Sequence, residues 1–388
     1  MLMTFFHGLQ FTESVTGVRP LLEKSTAIIG LVATAIAAVG APTAALDAAF
    51  PVNRPVLITD IRAAIAAAGT GGTLAPALNA IADQGTPVVI VVRVAAGADA
   101  ATTTANIIGG LVDGKYTGMQ ALLAAEAQVG VRPRIIGAPG LDSQAVVAAL
   151  IPVAKSLRGF IYASCRGITT VGAAIAYREE FSARELMLIW PDATAWDGQA
   201  VAIALGLRAM IDEETGWHKS LSNVAIAGVT GLSKDVHFDI RDPSTDAGLL
   251  NQAPVTTIVR MNGYRFWGNR TCSDEPAFAF EPVKRAAQAL QDLLADVEAP
   301  FIDQPITVAL VRDLVEAGNA LTRRLVGEGR LVGAKVSFDG TANPAEMLAA
   351  GKLVLDADYT APAPLEGLTT NLRVTSAYYE NFGEALNS

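Results

Sequence analysis

Three histidines supply all the imidazole chemistry in the chain: His7, His218 and His237. None stands at ligand spacing from another histidine or a cysteine, so a histidine-based metal site lacks a second ligand. Cys165 and Cys272 lie far apart without metal-type spacing. They read as buried free thiols, with a disulfide as the alternative, and such sparse cysteine suits a reducing cytoplasm. The sequence contains no G-x-S-x-G elbow, no H-E-x-x-H and no Walker A run. Acyl transfer, zinc hydrolysis and P-loop phosphate binding therefore lack their usual frames. Gly69-Thr70-Gly71-Gly72-Thr73 is glycine-rich but follows a helix-like run, Ile61–Ala68. Without a preceding strand or G-x-G-x-x-G spacing it reads as a helix C-cap and turn.

Gly137-Ala138-Pro139-Gly140 does follow a strand and precede a helix, the place where α/β proteins bind ligands. No catalytic constellation stands beside it, so it reads as an ordinary βα turn. Asp235, Asp239, Asp242 and Asp246 are loosely spaced and include Pro243, which describes a solvated loop better than a calcium loop. Asn269-Arg270-Thr271 matches a glycosylation sequon but carries no meaning in a cytoplasmic product. Tyr264, Phe266 and Trp267 sit beside Arg265 and Arg270. A nucleic-acid stacking platform needs more basic surroundings, so this cluster reads as core plus an interdomain arginine. With a formal charge of −9 and no basic run, nucleic acid is not an expected partner. No enzyme activity, metal or cofactor is expected.

At 388 residues, 51% hydrophobic and 17% charged, the chain exceeds what one core fills, and two domains are expected. Residues 27–50 are long enough to span a membrane. They are Ala-, Gly- and Thr-rich, contain Pro42 and Asp47 and lack an aromatic belt, so they read instead as a buried strand (Ala27–Ala33) entering an Ala-rich loop. Apolar runs then follow at Val56–Ile58, Val88–Val92, Arg134–Ile136, Phe160–Tyr162 and Leu186–Ile189. Helical segments lie between them, among them Gly118–Val129 with Thr117 as N-cap, and Gln144–Leu157, in which Pro152 threatens continuity. Near-continuous apolar strands alternating with helices predict an α/β fold with a largely parallel sheet over 21–255.

A second, α+β domain is expected from 256 to 388. It opens with a hairpin, Thr256–Arg260 and Tyr264–Trp267, turned at Asn262-Gly263. A helix carries Val283, Ala286, Ala287, Leu290, Leu293, Leu294 and Val297 on one face, with Lys284, Arg285, Gln288 and Asp292 opposite. A second helix carries Val311, Leu314, Val315, Leu321 and Leu325, and Val332–Phe338 alternates as a half-buried strand. Leu353 and Leu355 give a further strand signal, Pro362 and Pro364 a spacer, and Leu372 and Val374 alternate with Arg373 and Thr375. At the other end, Leu9 and Phe11 alternate with Gln10 and Thr12 before Gly17 and Pro20. Residues 1–20 thus form an extended arm, and a lone strand has nothing to pair with.

Several blocks, in order along the chain, resemble contractile tail sheath proteins, most closely those of P2-like phages and R-type bacteriocins. They are Phe5-Phe6-His7-Gly8, Thr117–Leu123, Gly228-Val229-Thr230-Gly231, Leu249-Leu250-Asn251 through Ile258, and Gly263–Thr271. The resemblance implies a structural subunit of a helical homo-oligomer, a sheath of stacked hexameric rings around a tail tube, that contracts to drive the tube through the host envelope. Tail tube, baseplate and tail terminator proteins are the implied partners; the virion tail, assembled in the host cytoplasm, is the implied location. It makes 21–255 an outer domain inserted into an inner one, built from the N-terminal arm and the C-terminal third. Terminal arms that pair with neighbouring subunits are implied for Phe5, Phe6, Leu9 and Phe11 and for Leu372 and Val374, with hinges at Gly17/Pro20 and Pro362/Pro364. Arg312, Arg323, Arg324 and Arg330 are candidates to face an acidic tube. The rival reading is a nucleotide-binding α/β enzyme.

Overall fold

The computed structural model describes residues 25–40 and 42–380. Its centre is a mixed sheet built from β1 (Ile29–Ile36), β2 (Pro55–Ile58), β3 (Gly71–Gly72), β4 (Val89–Val94), β7 (Ile135–Gly137), β8 (Phe160–Ser164), β9 (Leu186–Ile189), β10 (Val255–Arg260) and β11 (Tyr264–Trp267). A small hairpin, β5 (Leu111–Val112) and β6 (Lys115–Tyr116), stands apart. The strand order is β11-β10-β9-β8-β7-β1-β4-β2, with β3 paired to the end of β1. Pairings from β4 through β1, β7, β8 and β9 to β10 are all parallel; β2, β3 and β11 add antiparallel.

The parallel strands are buried on both faces, which is why they read as continuous apolar runs. Ile29, Leu31, Val89, Val91, Phe160, Tyr162, Met187 and Ile189 face one layer, with α2 (Ile61–Ala67), α3 (Leu74–Ala82) and α8 (Gln199–Glu214); α1 (Thr43–Ala49) adds Leu46. Val32, Ile90, Val92, Ile136, Ile161 and Leu188 face the other. That layer holds α4 (Ala100–Ile108), α5 (Ala125–Val129), α6 (Gln144–Leu157), α7 (Val171–Glu179) and α9 (Asp246–Gln252).

Three local expectations change. Gly118–Ala124 is a 3₁₀ helix that passes into α5, and Thr117 does not cap it; the Thr117 hydroxyl exchanges bonds with the Gly110 backbone instead. Helix α6 runs through Pro152 without a break. Both Pro152 and Ala148, whose carbonyl the proline leaves without its i+4 donor, are exposed, so water can serve that acceptor. The hairpin expected to open the second domain extends the large sheet instead. Val255 and Thr256 pair in parallel with Leu188 and Ile189, and five of the six residues of β10 are buried.

The C-terminal unit comprises α10 (Glu281–Glu298), α11 (Val308–Gly327), β12 (Gly333–Ser337), α12 (Ala345–Ala349) and β13 (Asp356–Thr360). It has its own core, in which Ala286, Leu290, Leu293 and Val297 of α10 meet Leu321 and Leu325 of α11 around Trp217. Strands β12 and β13 form an isolated antiparallel pair. The strand lies at Asp356–Thr360 rather than at Leu353 and Leu355, because the backbone of Val354 is held by the Asn343 side chain. No helix among the described residues is long and apolar enough to cross a membrane.

Candidate functional site

The crevice at the carboxyl ends of the parallel strands is the place to look for a ligand in a doubly wound sheet. Here the chain fills it with itself. The Gly137–Gly140 turn packs against Gly198, so closely that a Cβ on Gly198 would fall on the Gly140 backbone, and Trp196 lies against Gly140. The N-terminus of α8, whose free N–H groups could cradle a phosphate, is already served by Asp192, which accepts from Gly198 N at 2.5 Å and Ala200 N at 2.7 Å. Buried Asp142 stands at the same end and accepts from Ser164 N at 2.6 Å. Two carboxylates and a closed turn do not favour a nucleotide.

The opposite end of the sheet is where the two units meet, and it is polar. The face of α10 opposite its apolar stripe is turned inward rather than to solvent, because its charges find partners at the strand starts. Gln288 donates to Gly159 O at 2.8 Å, Lys284 pairs with Glu185 at 3.0 Å, and Arg285 reaches Thr26 O at 3.4 Å. Asp292 pairs with Arg134 and, at 2.6 Å, with Arg158. Gly159, Glu185, Arg134 and Thr26 each lie just before a strand of the parallel sheet, so one helix face reads the amino ends of β1, β7, β8 and β9.

Deeper in this seam sits a charge-balanced quartet: Arg208 and Asp212 from α8, Glu281 and Arg285 from α10. Arg208 Nη2 lies 2.8 Å from Asp212 Oδ1 and Nη1 lies 3.2 Å from Glu281 Oε1. Arg285 pairs with Asp212 and lies 3.7 Å from Glu281. The Tyr162 hydroxyl donates to Glu281 at 2.7 Å, and Arg208 also donates to Lys219 O at 2.6 Å. All four charged side chains are 0–3% exposed. Burial alone would push the Arg208 guanidinium down, but Asp212 and Glu281 outweigh it and hold it above its ordinary value. Burial, opposed by Asp292, lowers Arg134 to about 10. Mutual neutralisation lets these ions stay dry.

Beyond the seam the C-terminal segment crosses from one unit to the other. Arg270, in the turn after β11, forms a two-pronged pair with Glu366 at 2.7 and 2.6 Å and stacks over the Phe280 ring at 5.1 Å. The interdomain arginine expected from the sequence is therefore Arg270, while Arg265 bonds Met261 O in the hairpin and Asn223 O in the loop after α8. Among the described residues after Glu366 there is no strand, and Leu368, Leu372 and Val374 are 79%, 93% and 106% exposed.

The other site candidates divide. Phe5, Phe6, Leu9 and Phe11 lie outside the described residues. Arg312 is exposed on α11 beside a groove lined by Val308, Val311, Val315 and Phe338. Arg323 pairs with Glu316 at 2.6 Å, Arg324 with Glu328 at 4.0 Å and Arg330 with Glu328 at 3.0 Å. The four arginines are thus not gathered into one uncompensated positive face. Sequence reasoning missed the quartet, the strand-end contacts of α10 and Glu366; the i, i+4 pairs Arg208–Asp212 and Glu281–Arg285 were the visible hints.

Residues 26–94 match the tail sheath protein Gp18 domain III N-terminal region, and residues 114–272 match the phage tail sheath protein central domain. The chain is 48% identical over 400 residues to the tail sheath protein of Escherichia phage P2, covering 99% of each. It is 44% identical over 389 residues to the major tail sheath protein of Serratia phage KSP20, covering 97% of each. Its fold is similar to a chain of the anti-feeding prophage baseplate in the contracted state, with a TM-score of 0.71, 15% identity, and 96% of this chain and 100% of that chain covered. A chain of the PVC sheath complex, an extracellular contractile injection system in the contracted state, gives a TM-score of 0.67 at 16% identity, covering 97% of this chain and 100% of that one. By these relatives the chain belongs to the phage tail sheath protein family, a structural subunit of a contractile sheath and not an enzyme.

Proposed function

We propose that copies of this chain assemble head-to-tail through their terminal arms into stacked hexameric rings around a tail tube, bounded by baseplate and tail terminator proteins. Head-to-tail pairing does not close on itself, so it generates a helix. The observation that supports this reading is an open two-stranded sheet, β12–β13, in a chain that also carries an exposed apolar tail at Leu368, Leu372 and Val374. A two-stranded sheet is marginal alone and gains from added strands, and main-chain ladder bonds join copies without a side-chain code.

In this reading residues 1–20 and the C-terminal unit form the inner layer, the α/β unit forms the outer one, and Arg312, Arg323, Arg324 and Arg330 are offered to the tube. Contraction is then a change of packing between rigid bodies, with the arms as tethers. The assembled location is the virion tail, reached from the host cytoplasm. Deletion of residues 1–14, and separately of 367–388, tests the arms: electron microscopy of purified tails should show no extended sheath. Normal extended sheaths from both deletions would refute the proposal.

A further inference from the structure

The turn between β10 and β11 sets a free carboxamide beside a free backbone nitrogen. Asn262 is the only asparagine of the chain that glycine follows. Asn262 and Gly263 are exposed, with φ of 52° and 97°, a backbone that asparagine and glycine accept most readily. Other asparagine side chains are held. Those of Asn53, Asn79, Asn106 and Asn251 are hydrogen-bonded, and Asn319 and Asn343 each clasp both backbone groups of a neighbour, Val336 and Val354. Among the described residues the Asn262 amide has no such partner, and neither has the Gly263 N–H. Gly263 is engaged only through its carbonyl, which accepts from Met261 N at 2.8 Å. A Cβ added to Gly263 would meet nothing within 4 Å, so the approach to this nitrogen is unobstructed.

These are the requirements of an intramolecular acyl transfer, in which holding both reactants on one chain makes the step unimolecular. Once the Gly263 nitrogen loses its proton to hydroxide, it attacks Asn262 Cγ. The new N–Cγ bond closes a five-membered succinimide and the Cγ–Nδ2 bond breaks. The leaving nitrogen takes a proton from water, restores the hydroxide and departs as ammonia. Water then opens the ring. Breaking the N–Cγ bond leaves aspartate; breaking the bond to the Asn262 backbone carbonyl carbon leaves isoaspartate, with the chain running through the side chain. One water is consumed and one ammonia released, with no oxidant or reductant. Ring closure needs the Gly263 nitrogen to swing toward Cγ, a motion that fraying of an exposed hairpin end permits.

We propose that Asn262 is a site of spontaneous deamidation, and that its isoaspartyl product loosens the cover on the outer edge of the large sheet. The link is Arg265, which donates from Nε to Met261 O and from Nη1 to Asn223 O, both at 2.8 Å. It ties the turn to the segment lying along β11. There Asn223 N donates to Phe266 O at 2.8 Å, Ile226 N donates to Tyr264 O at 3.0 Å, and Ala225 forms an antiparallel bridge with Arg265. Isoaspartate adds a methylene to the short connection between Arg260 and Tyr264 and carries the Met261 carbonyl away from Arg265. Aspartate keeps the backbone and adds only a carboxylate. Strand β11 is the last on its side of the sheet, so loosening 223–226 bares an unpaired edge.

Full-length protein would be aged at mildly alkaline pH and digested with trypsin. Cleavage after Arg260 and Arg265 isolates Met261–Arg265, whose one asparagine is Asn262. In heavy-oxygen water the new carboxyl carries the label, and protein isoaspartate methyltransferase scores the isomer. With an unhindered glycine nitrogen as nucleophile, this peptide should convert about tenfold faster than any other asparagine of the folded chain. Asn262→Gly, which suits the positive φ, should keep the fold by circular dichroism and form no isoaspartate there. Aged wild type should be cut by a nonspecific protease within 222–232 at least about twofold faster than fresh protein; aged Asn262→Gly should match fresh protein. Conversion of Asn262 no faster than that of other asparagines, or only after denaturation, would overturn the site. Rapid conversion with unchanged cleavage within 222–232 would overturn the loosened edge.

Discussion

Arg270 and Glu366, 96 positions apart, meet in a two-pronged ion pair at 2.7 and 2.6 Å. The contact fixes where the C-terminal segment stops belonging to the folded body. The anchor lies two residues beyond Pro364, so the last tethered point is Glu366 rather than the Pro362/Pro364 spacer. Glu366 raises the Arg270 guanidinium above its ordinary value through the hydrogen bonds they share.

The pair is partly solvated, so it contributes on the order of 0.2–1 kcal/mol. Arg270→Ala should therefore leave thermal unfolding nearly unchanged. Limited proteolysis within residues 361–366 should accelerate by up to about fivefold, the equivalent of that energy, and the Arg270→Glu/Glu366→Arg exchange should restore resistance. Unchanged cleavage in Arg270→Ala would show that the prolines, not the ion pair, hold the segment.

The buried quartet behaves differently. Glu281→Ala leaves Arg208, Arg285 and the Tyr162 hydroxyl without a shared acceptor in a dry site, and breaking a buried pair from one side costs roughly 3–5 kcal/mol. Tyr162→Phe removes one hydrogen bond and should cost about 1–2 kcal/mol. Denaturant titration measures both, and the ordering is the test: Glu281→Ala must be the more damaging.

Asp142 gives a pH signature. Burial pushes its carboxyl up to about 6, although the Ser164 N–H and nearby Arg166 oppose the shift. Its folded value lies above the unfolded one, so the folded state holds the proton more tightly. Stability from this group is greatest below the ordinary carboxylate range and falls as pH rises from about 4 to 6, by roughly 3 kcal/mol in all. Asp142→Asn keeps an acceptor for Ser164 N and removes the titration. It should unfold at a higher temperature than wild type at pH 7.5, with the difference vanishing near pH 4. A constant difference across that range would reject the assignment.

The thiols are both free and buried. Burial pushes Cys165 well up and Cys272 to about 12, so neither is a thiolate near neutrality. Native protein at pH 8 should resist alkylation by iodoacetamide, whereas unfolded protein should take up two equivalents. Rapid labelling of the native chain would contradict the burial.

The parallel strands were legible because burial on both faces writes uninterrupted runs such as Val89–Val92. Helix α6 was legible as an Ala-rich segment of helical length, and α10 and α11 by their period. What could not be read follows from one physical fact: hydropathy scores a neutralised buried charge and a solvated one alike. Lys284, Arg285, Gln288 and Asp292 mark a polar face, and only the strand ends they touch reveal that it is inside. The hairpin at 255–267 was recognised from Asn262-Gly263, but its sheet could not be, since register with β9 is a long-range property. Asn319 and Asn343 imitate neighbouring strands with their amides, and a lone asparagine carries no mark of that in sequence. The arms were noticed as alternation without a partner; the N-terminal one lies outside the described residues.

Arg158 and Asp292 are 134 positions apart yet share a 2.6 Å contact, one of several that tie helix α10 to the strand starts. Separate stretches of the gene are thereby bound to change in step. A natural variant that reverses the charge of Glu281, Lys284, Arg285 or Asp292 is expected to carry a matching reversal among residues 134, 158, 185, 208 and 212. Recombination that exchanges the C-terminal third between relatives will yield viable hybrids only where those charges agree.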